Sequence, residues 1–120
     1  MKKITLIDDE NNLRDSISEI LTEEGFNVTT ARNGREGLAA VRETSPDAII
    51  CDVMMPVMDG FGVLKEVRSD ENLRHTPFLF LTAKSDVSDV TAGLEAGVDG
   101  YVLKPVDIDD LLELLAIHLD

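Results

Sequence analysis

Residues 50–60 read ICDVMMPVMDG. With Ala48 and Ile49 ahead of them they make a short apolar run that stops at Asp52. An unbroken apolar run of this length is what a strand covered on both faces requires. It ends on a carboxylate rather than on a turn residue. The turn chemistry of Pro56 and Asp59-Gly60 comes only later. A buried strand that carries an acid to its tip is expected to aim it at neighbours supplied by the rest of the chain.

Working outward, apolar runs and helical patterns alternate in both directions. ITLI (4–7) is a strand run, and Leu13, Ile17, Ile20 and Leu21 then recur at helical spacing until Gly25. FNVTTA (26–31) alternates as a strand. Asn33-Gly34 turns the chain into a second helix with Leu38 and Val41, closed before Pro46. DAIIC (47–51) is the third strand, followed by a helix with Val63, Leu64 and Val67. FLFL (78–81) is the fourth strand, and Val87, Val90 and Leu94 mark a helix that Gly97 ends. GYVL (100–103) is the fifth, before a last helix with Ile108, Leu111, Leu112, Leu115 and Leu119. Strict alternation of this kind predicts an α/β fold with a parallel sheet and right-handed crossovers. No linker, repeat or low-complexity segment interrupts it, so one domain is expected over residues 1–120.

The polar residues that follow the strands share one place. Asp8-Asp9 follow the first strand, Asp52 the third, Thr82 the fourth and Lys104 the fifth. In a parallel sheet all carboxyl ends lie along one edge, and ligands bind in the crevice outside it. Three carboxylates, a hydroxyl and an ammonium are therefore expected to converge. Carboxylates so close disfavour one another's ionised form. Lys104 supplies one compensating charge, and a hard divalent cation such as Mg²⁺ would supply the rest. A carboxylate beside a cation and a lysine can attack phosphorus to give an aspartyl phosphate, while lysine and metal offset charge on the transferring group.

Composition narrows the classes. The net charge is −13 over 120 residues, which repels nucleic-acid phosphates and argues against direct DNA or RNA binding. Cys51 is the one cysteine, so no internal disulfide can form, in keeping with a reducing, cytoplasmic setting. The apolar stretch after the first two lysines is too short for a signal peptide, and no segment approaches the length of a membrane span.

Four motifs, LIDDE (6–10), IICDVMMPVMDG (49–60), FLFLTA (78–83) and YVLKP (101–105), together resemble the receiver domain of bacterial two-component response regulators. The similarity covers essentially the whole chain. It implies a flavodoxin-like, doubly wound five-stranded parallel sheet of order 2-1-3-4-5 with five helices. Asp52 would be the phosphoacceptor, taking a phosphoryl group from a sensor histidine kinase or a histidine phosphotransfer protein. Asp8, Asp9, Asp52 and the backbone carbonyl of Met54 would hold Mg²⁺, or Mn²⁺ in its place. Thr82 would hydrogen-bond the phosphoryl group and shift on its arrival, Lys104 would pair with a phosphoryl oxygen, and Tyr101 would move inward as the aromatic switch. Pro105 would follow a cis peptide bond. The face of helix 4, strand 5 and helix 5 would signal to a downstream effector, to a fused output domain, or to a second copy in a phosphorylation-dependent homodimer. Such a domain is a signalling switch and not an enzyme beyond its own Mg²⁺-dependent phosphorylation and dephosphorylation.

Other residues have plainer readings. Cys51 sits in a strand and reads as a small buried hydrophobe. Met54, Met55 and Met58 have a loop's spacing and read as loop packing rather than a soft metal site. DGFGVLK (59–65) puts Lys65 where a nucleotide loop needs its third glycine. DIDD (107–110) reads as a helix N-cap with acids in the first turn. His75 and His118 read as solvated. The last helix also carries Leu114 and Ile117, which spread its apolar surface past one face and suggest a partner.

Two competing readings are weaker. A phosphatase of the haloacid-dehalogenase type needs a second aspartate two residues after the first, where this chain has Glu10. A phosphate-independent interaction module has no use for the full set of site residues.

Overall fold

The computed structural model describes residues 1–83 and 87–119. The chain runs β1 (Lys3–Ile7), α1 (Asn11–Glu23), β2 (Asn27–Ala31), α2 (Gly34–Thr44), β3 (Ala48–Asp52), α3 (Gly60–Ser69), β4 (Phe78–Ala83), α4 (Val87–Glu95), β5 (Gly100–Lys104) and α5 (Ile108–His118). The strands form one all-parallel sheet in the order β2-β1-β3-β4-β5. Of α4 the backbone is described; the expected inward side chains of Val87 and Val90 lie outside the described residues.

Each central strand feeds two cores, because successive side chains point to opposite faces. Ile7, Ile49, Cys51, Phe78 and Phe80 pack with Val41, Val63, Leu64 and Val67 of α2 and α3. Ile4, Leu6, Ala48, Ile50, Leu79 and Leu81 pack with Ile17, Leu21, Leu111 and Leu115 of α1 and α5. The strands read as unbroken apolar runs for that reason: both of their faces are dry. Phe80 is wedged edge-on between Phe61 and Phe78, with ring centroids 5.2 and 5.6 Å away. β2, at the sheet edge, is only partly buried.

The helix ends follow their local chemistry. Asn33 caps α2 by accepting from the Glu36 N–H, and Asp107 caps α5 by accepting from Asp109 and Asp110. Gly25 and Gly97 take left-handed φ values of 95° and 101° just past α1 and α4. One expectation changes: Asp59-Gly60 is not a free-standing turn but the start of α3, with the Asp59 side chain accepting from Gly62 N–H.

The strands also run further than their apolar letters. Asp52 pairs with Leu81, Thr82 with Leu103 and Ala83 with Lys104 in the ladders. Asp52 and Lys104 are thus the last rungs of their strands, and Thr82 the last but one, rather than residues that follow them. The backbone ladder depends on the neighbouring strand, not on side-chain polarity. The result is that these side chains leave from backbone held on the sheet.

Candidate functional site

Asp8 lies one residue past β1, its N–H bonded to Ala31 O at 3.1 Å. The residue is fully buried. Its Oδ1 accepts from Glu10 N–H at 2.8 Å, whereas Oδ2 has no hydrogen-bond partner. Asp52, at the end of β3, is 6% exposed. Lys104 sits two strands away on β5, and its side chain reaches past the end of β4. Its Nζ lies 3.1 Å from Asp52 Oδ2 and 3.5 Å from Asp8 Oδ2. Asp9 is exposed, yet carboxylate oxygens of Asp8, Asp9 and Asp52 all come within 4.8 Å of one another. Thr82, between Asp52 and Lys104 in strand order, is 1% exposed with an unpaired Oγ1.

Three carboxylates share one ammonium here, and the acids feel it. Burial pushes the Asp52 carboxyl up to about 6, and the charge of Asp8 pushes the same way, against the pull of Lys104. Burial alone would lower Lys104; the charges of Asp52 and Asp8 more than offset it, and the net direction is upward. The Cys51 thiol is pushed well up by burial and by the same carboxylates, so it stays a protonated hydrophobe. Hard oxygen donors, excess negative charge and a buried Asp8 oxygen met only by the ion pair with Lys104 together suit a divalent cation bound by carboxylates.

Some residues that shape the site give little signal in the sequence. A Cβ on Gly60 would stand 2.5 Å from Asp52 O, and one on Gly34 2.2 Å from Met58 O. Only glycine lets α3 and α2 approach the loop after Asp52 this closely. That loop is further tied by Val53 N–H to Leu81 O and Gly60 N–H to Val53 O. Within it Val57 has φ 73°, a strained value for a β-branched residue. Arg14 donates to Asp8 O at 3.0 Å and to Asn11 Oδ1 at 2.8 Å, clamping the acidic turn onto α1. An arginine one turn into a helix carries no pattern that would reveal this.

Of the methionines, Met55 and Met58 pack on the core as expected, but Met54 does not: its side chain is 64% exposed. Tyr101 is 40% exposed, its ring on the outer surface of β5. Lys104-Pro105 is a cis peptide bond. His75 is exposed and His118 half-buried.

Residues 4–116 match the response regulator receiver domain. The chain belongs to that family. It is 43% identical over 106 residues to the transcriptional regulatory protein AfsQ1 of Streptomyces coelicolor, covering 88% of this chain and 46% of that one. The chain spans about half, or less, of the length of the curated relatives it matches. Its fold superposes on the chemotaxis protein CheY4 of Vibrio cholerae with TM-score 0.92 and 37% identity, covering 99% of both chains. It is similar as well to the receiver domain of a sensor histidine kinase from Pseudomonas aeruginosa that has a magnesium ion coordinated in its active site cleft. There the TM-score is 0.90 and the identity 30%, over 98% of this chain and 97% of that one. This receiver domain is accordingly a signalling domain of the two-component type. None of its helices, among the described residues, is long and apolar enough to cross a membrane.

Proposed function

We propose that residues 1–120 form a cytoplasmic receiver domain in which Asp52 accepts a phosphoryl group from a histidine of a sensor kinase or phosphotransfer protein and passes the change to an effector or output domain. The observation that carries this reading is the Asp52 carboxylate at a strand tip, 3.1 Å from Lys104 Nζ and crowded by Asp8 and Asp9.

The step balances simply. An Asp52 carboxylate oxygen bonds to phosphorus as the bond from phosphorus to the donor nitrogen breaks, and the imidazole leaves with the bonding electrons. Lys104 meets the negative charge that develops on the phosphoryl oxygens. Thr82 Oγ1, buried and unpaired, has a hydrogen bond to give to the new group. Asp8, Asp9, Asp52 and the Met54 carbonyl would hold Mg²⁺ or Mn²⁺, which when bound supplies further positive charge at the transferring phosphoryl group. The response is a two-state one: drawing Thr82 toward the site opens space beside β5, and Tyr101 fills it by turning inward. Tyr101 lies beside α5, so the face of α4, β5 and α5 would carry the change outward.

The test is phosphorylation by a small acyl phosphate with Mg²⁺, read by intact mass. The expected gain is one phosphoryl group, absent in Asp52→Ala. No gain in the wild type, or an equal gain in the variant, overturns the assignment. On loading with beryllium fluoride, NMR shifts should reach Tyr101 and Leu114; shifts confined to the surroundings of Asp52 would remove the switch.

A further inference from the structure

We infer that the cleft between the first turns of α1 and α2 is an anion site, separate from the acidic one, where two arginines hold the phosphate group of a small molecule. The inference does not depend on the phosphotransfer reading.

Arg14, Thr30, Ala31, Arg32 and Glu36 line an open cleft of about 310 Å³ at the carboxyl end of β2, the strand beside β1. This is the edge of an open α/β sheet at which ligands enter. Charge is ordered along it. Across β2-β1-β3-β4-β5, Arg32 follows β2, Asp8 and Asp9 follow β1, Asp52 ends β3 and Lys104 ends β5. The carboxylates thus have a cation on each flank. Lys104 is engaged by Asp52 and Asp8. The arginines on the other flank keep donors to give.

Arg14 donates from Nη1 to Asp8 O and from Nη2 to Asn11 Oδ1. Arg32 donates from Nε to Glu36 Oε2 at 2.9 Å. A guanidinium carries five N–H donors, so among the described residues both arginines have N–H groups without a partner. Arg14 is already fixed by its two bonds. The Arg32–Glu36 pair is exposed on both sides, and such a pair contributes little, so an anion displaces Glu36 readily. Asp8 does not oppose this directly: it shows Arg14 its main-chain oxygen, while its carboxylate meets Lys104 and Glu10 N–H.

The two helix starts act in the same direction. Arg14 lies one turn into α1, whose N-cap residue Glu10 makes no side-chain cap bond, and Glu36 lies in the first turn of α2. First-turn N–H groups and the helix dipoles favour negative charge there. Two guanidinium forks and the Thr30 hydroxyl suit the several oxygens of a tetrahedral phosphate; one fork alone satisfies a carboxylate.

The probe is inorganic phosphate, titrated into the full chain in metal-free buffer at constant ionic strength and followed by NMR. Shifts should centre on Thr30, Arg32 and the Nε–H groups of Arg14 and Arg32. Arg32→Gln should weaken binding about tenfold, the loss of one charge-assisted contact, and Thr30→Val severalfold; both positions are exposed. Glu36→Gln, which frees Arg32, should tighten binding severalfold. Glu66→Gln frees Arg42 from a similar exposed pair on α3 and should change nothing. Acetate should bind more weakly than phosphate, and glycerol phosphate as well as phosphate. No saturable shift, a footprint centred on Asp52 and Thr82, an equal gain in Glu66→Gln, or acetate equal to phosphate would overturn the site. A phosphoserine peptide binding far more tightly than glycerol phosphate would overturn the small-molecule assignment in favour of a protein ligand.

Discussion

The chain has two clusters of three aspartates, and they behave in opposite ways. Asp107, Asp109 and Asp110 are neighbours in sequence at the start of α5, all exposed to water, with one acting as N-cap and two in the first helical turn. Asp8, Asp9 and Asp52 come from two segments and meet at the sheet edge, two of them buried. The first cluster is calmed by solvent and by the helix N–H groups. The second is strained, with a single lysine against three carboxylates. Charge count is the same; burial and the available donors decide which cluster can do chemistry.

Removing Lys104 should break this contrast most. Lys104→Met leaves two buried carboxylates without a cation. In chelator near pH 7.5 it should cost about 2 kcal/mol, less than for a fully buried pair because Lys104 is partly solvated. The urea midpoint checks this, and most of the loss should return on acidification toward pH 5.

Asp52→Asn should act in the other direction. In chelator it should raise stability by about 1 kcal/mol by removing one of the crowded charges, and Mg²⁺ should cancel the gain by binding the folded wild type. The pH dependence has a definite sign. The folded Asp52 holds its proton up to about 6 against an ordinary 3.8, so the folded state binds more protons than the unfolded one between those values. Its penalty is absent below that window, grows as pH rises through it and is complete above pH 6. Wild type should therefore lose stability relative to Asp52→Asn from pH 4 to pH 7. A variant less stable than wild type in chelator would show that Lys104 already compensates the cluster.

The loop that shapes the buried cluster stores strain that the α5 cap does not need. Val57→Gly relieves a positive φ at an exposed position and should stabilise the chain by about 0.5 to 1 kcal/mol, net of glycine's entropy in the unfolded state. Thermal unfolding with and without Mg²⁺ reads it. The smallest effect should come from the exposed cluster: Asp109→Asn should cost a few tenths of a kcal/mol, about the helix-dipole contribution of one first-turn acid, and fade with salt. A loss as large as that of Lys104→Met would erase the distinction between the clusters.

Much of this molecule is legible in its letters. The runs ITLI, AIIC, FLFL and YVL mark strands because both faces of a parallel sheet are dry, and the helical spacing of the apolar residues between them marks the helices that dry them. Since parallel strands all end at one edge, the letters alone bring Asp8, Asp9, Asp52, Thr82 and Lys104 together. Cys51 could be set aside as packing, and DIDD as a cap, because each has a local physical reason. What only the tertiary structure decided is how the edge is built. Gly34 and Gly60 looked like turn residues, and they are glycine because backbone from distant segments passes within contact of them. Arg14 became a clamp on Asp8 only once α1 lay beside β1. Asp52, Thr82 and Lys104 sit on ladder rungs rather than beyond them. Periodicity records which face a residue turns to the core; close approach, shared charge and orphaned polar atoms depend on segments far apart in the chain, and exist only when the fold brings them within a few ångströms.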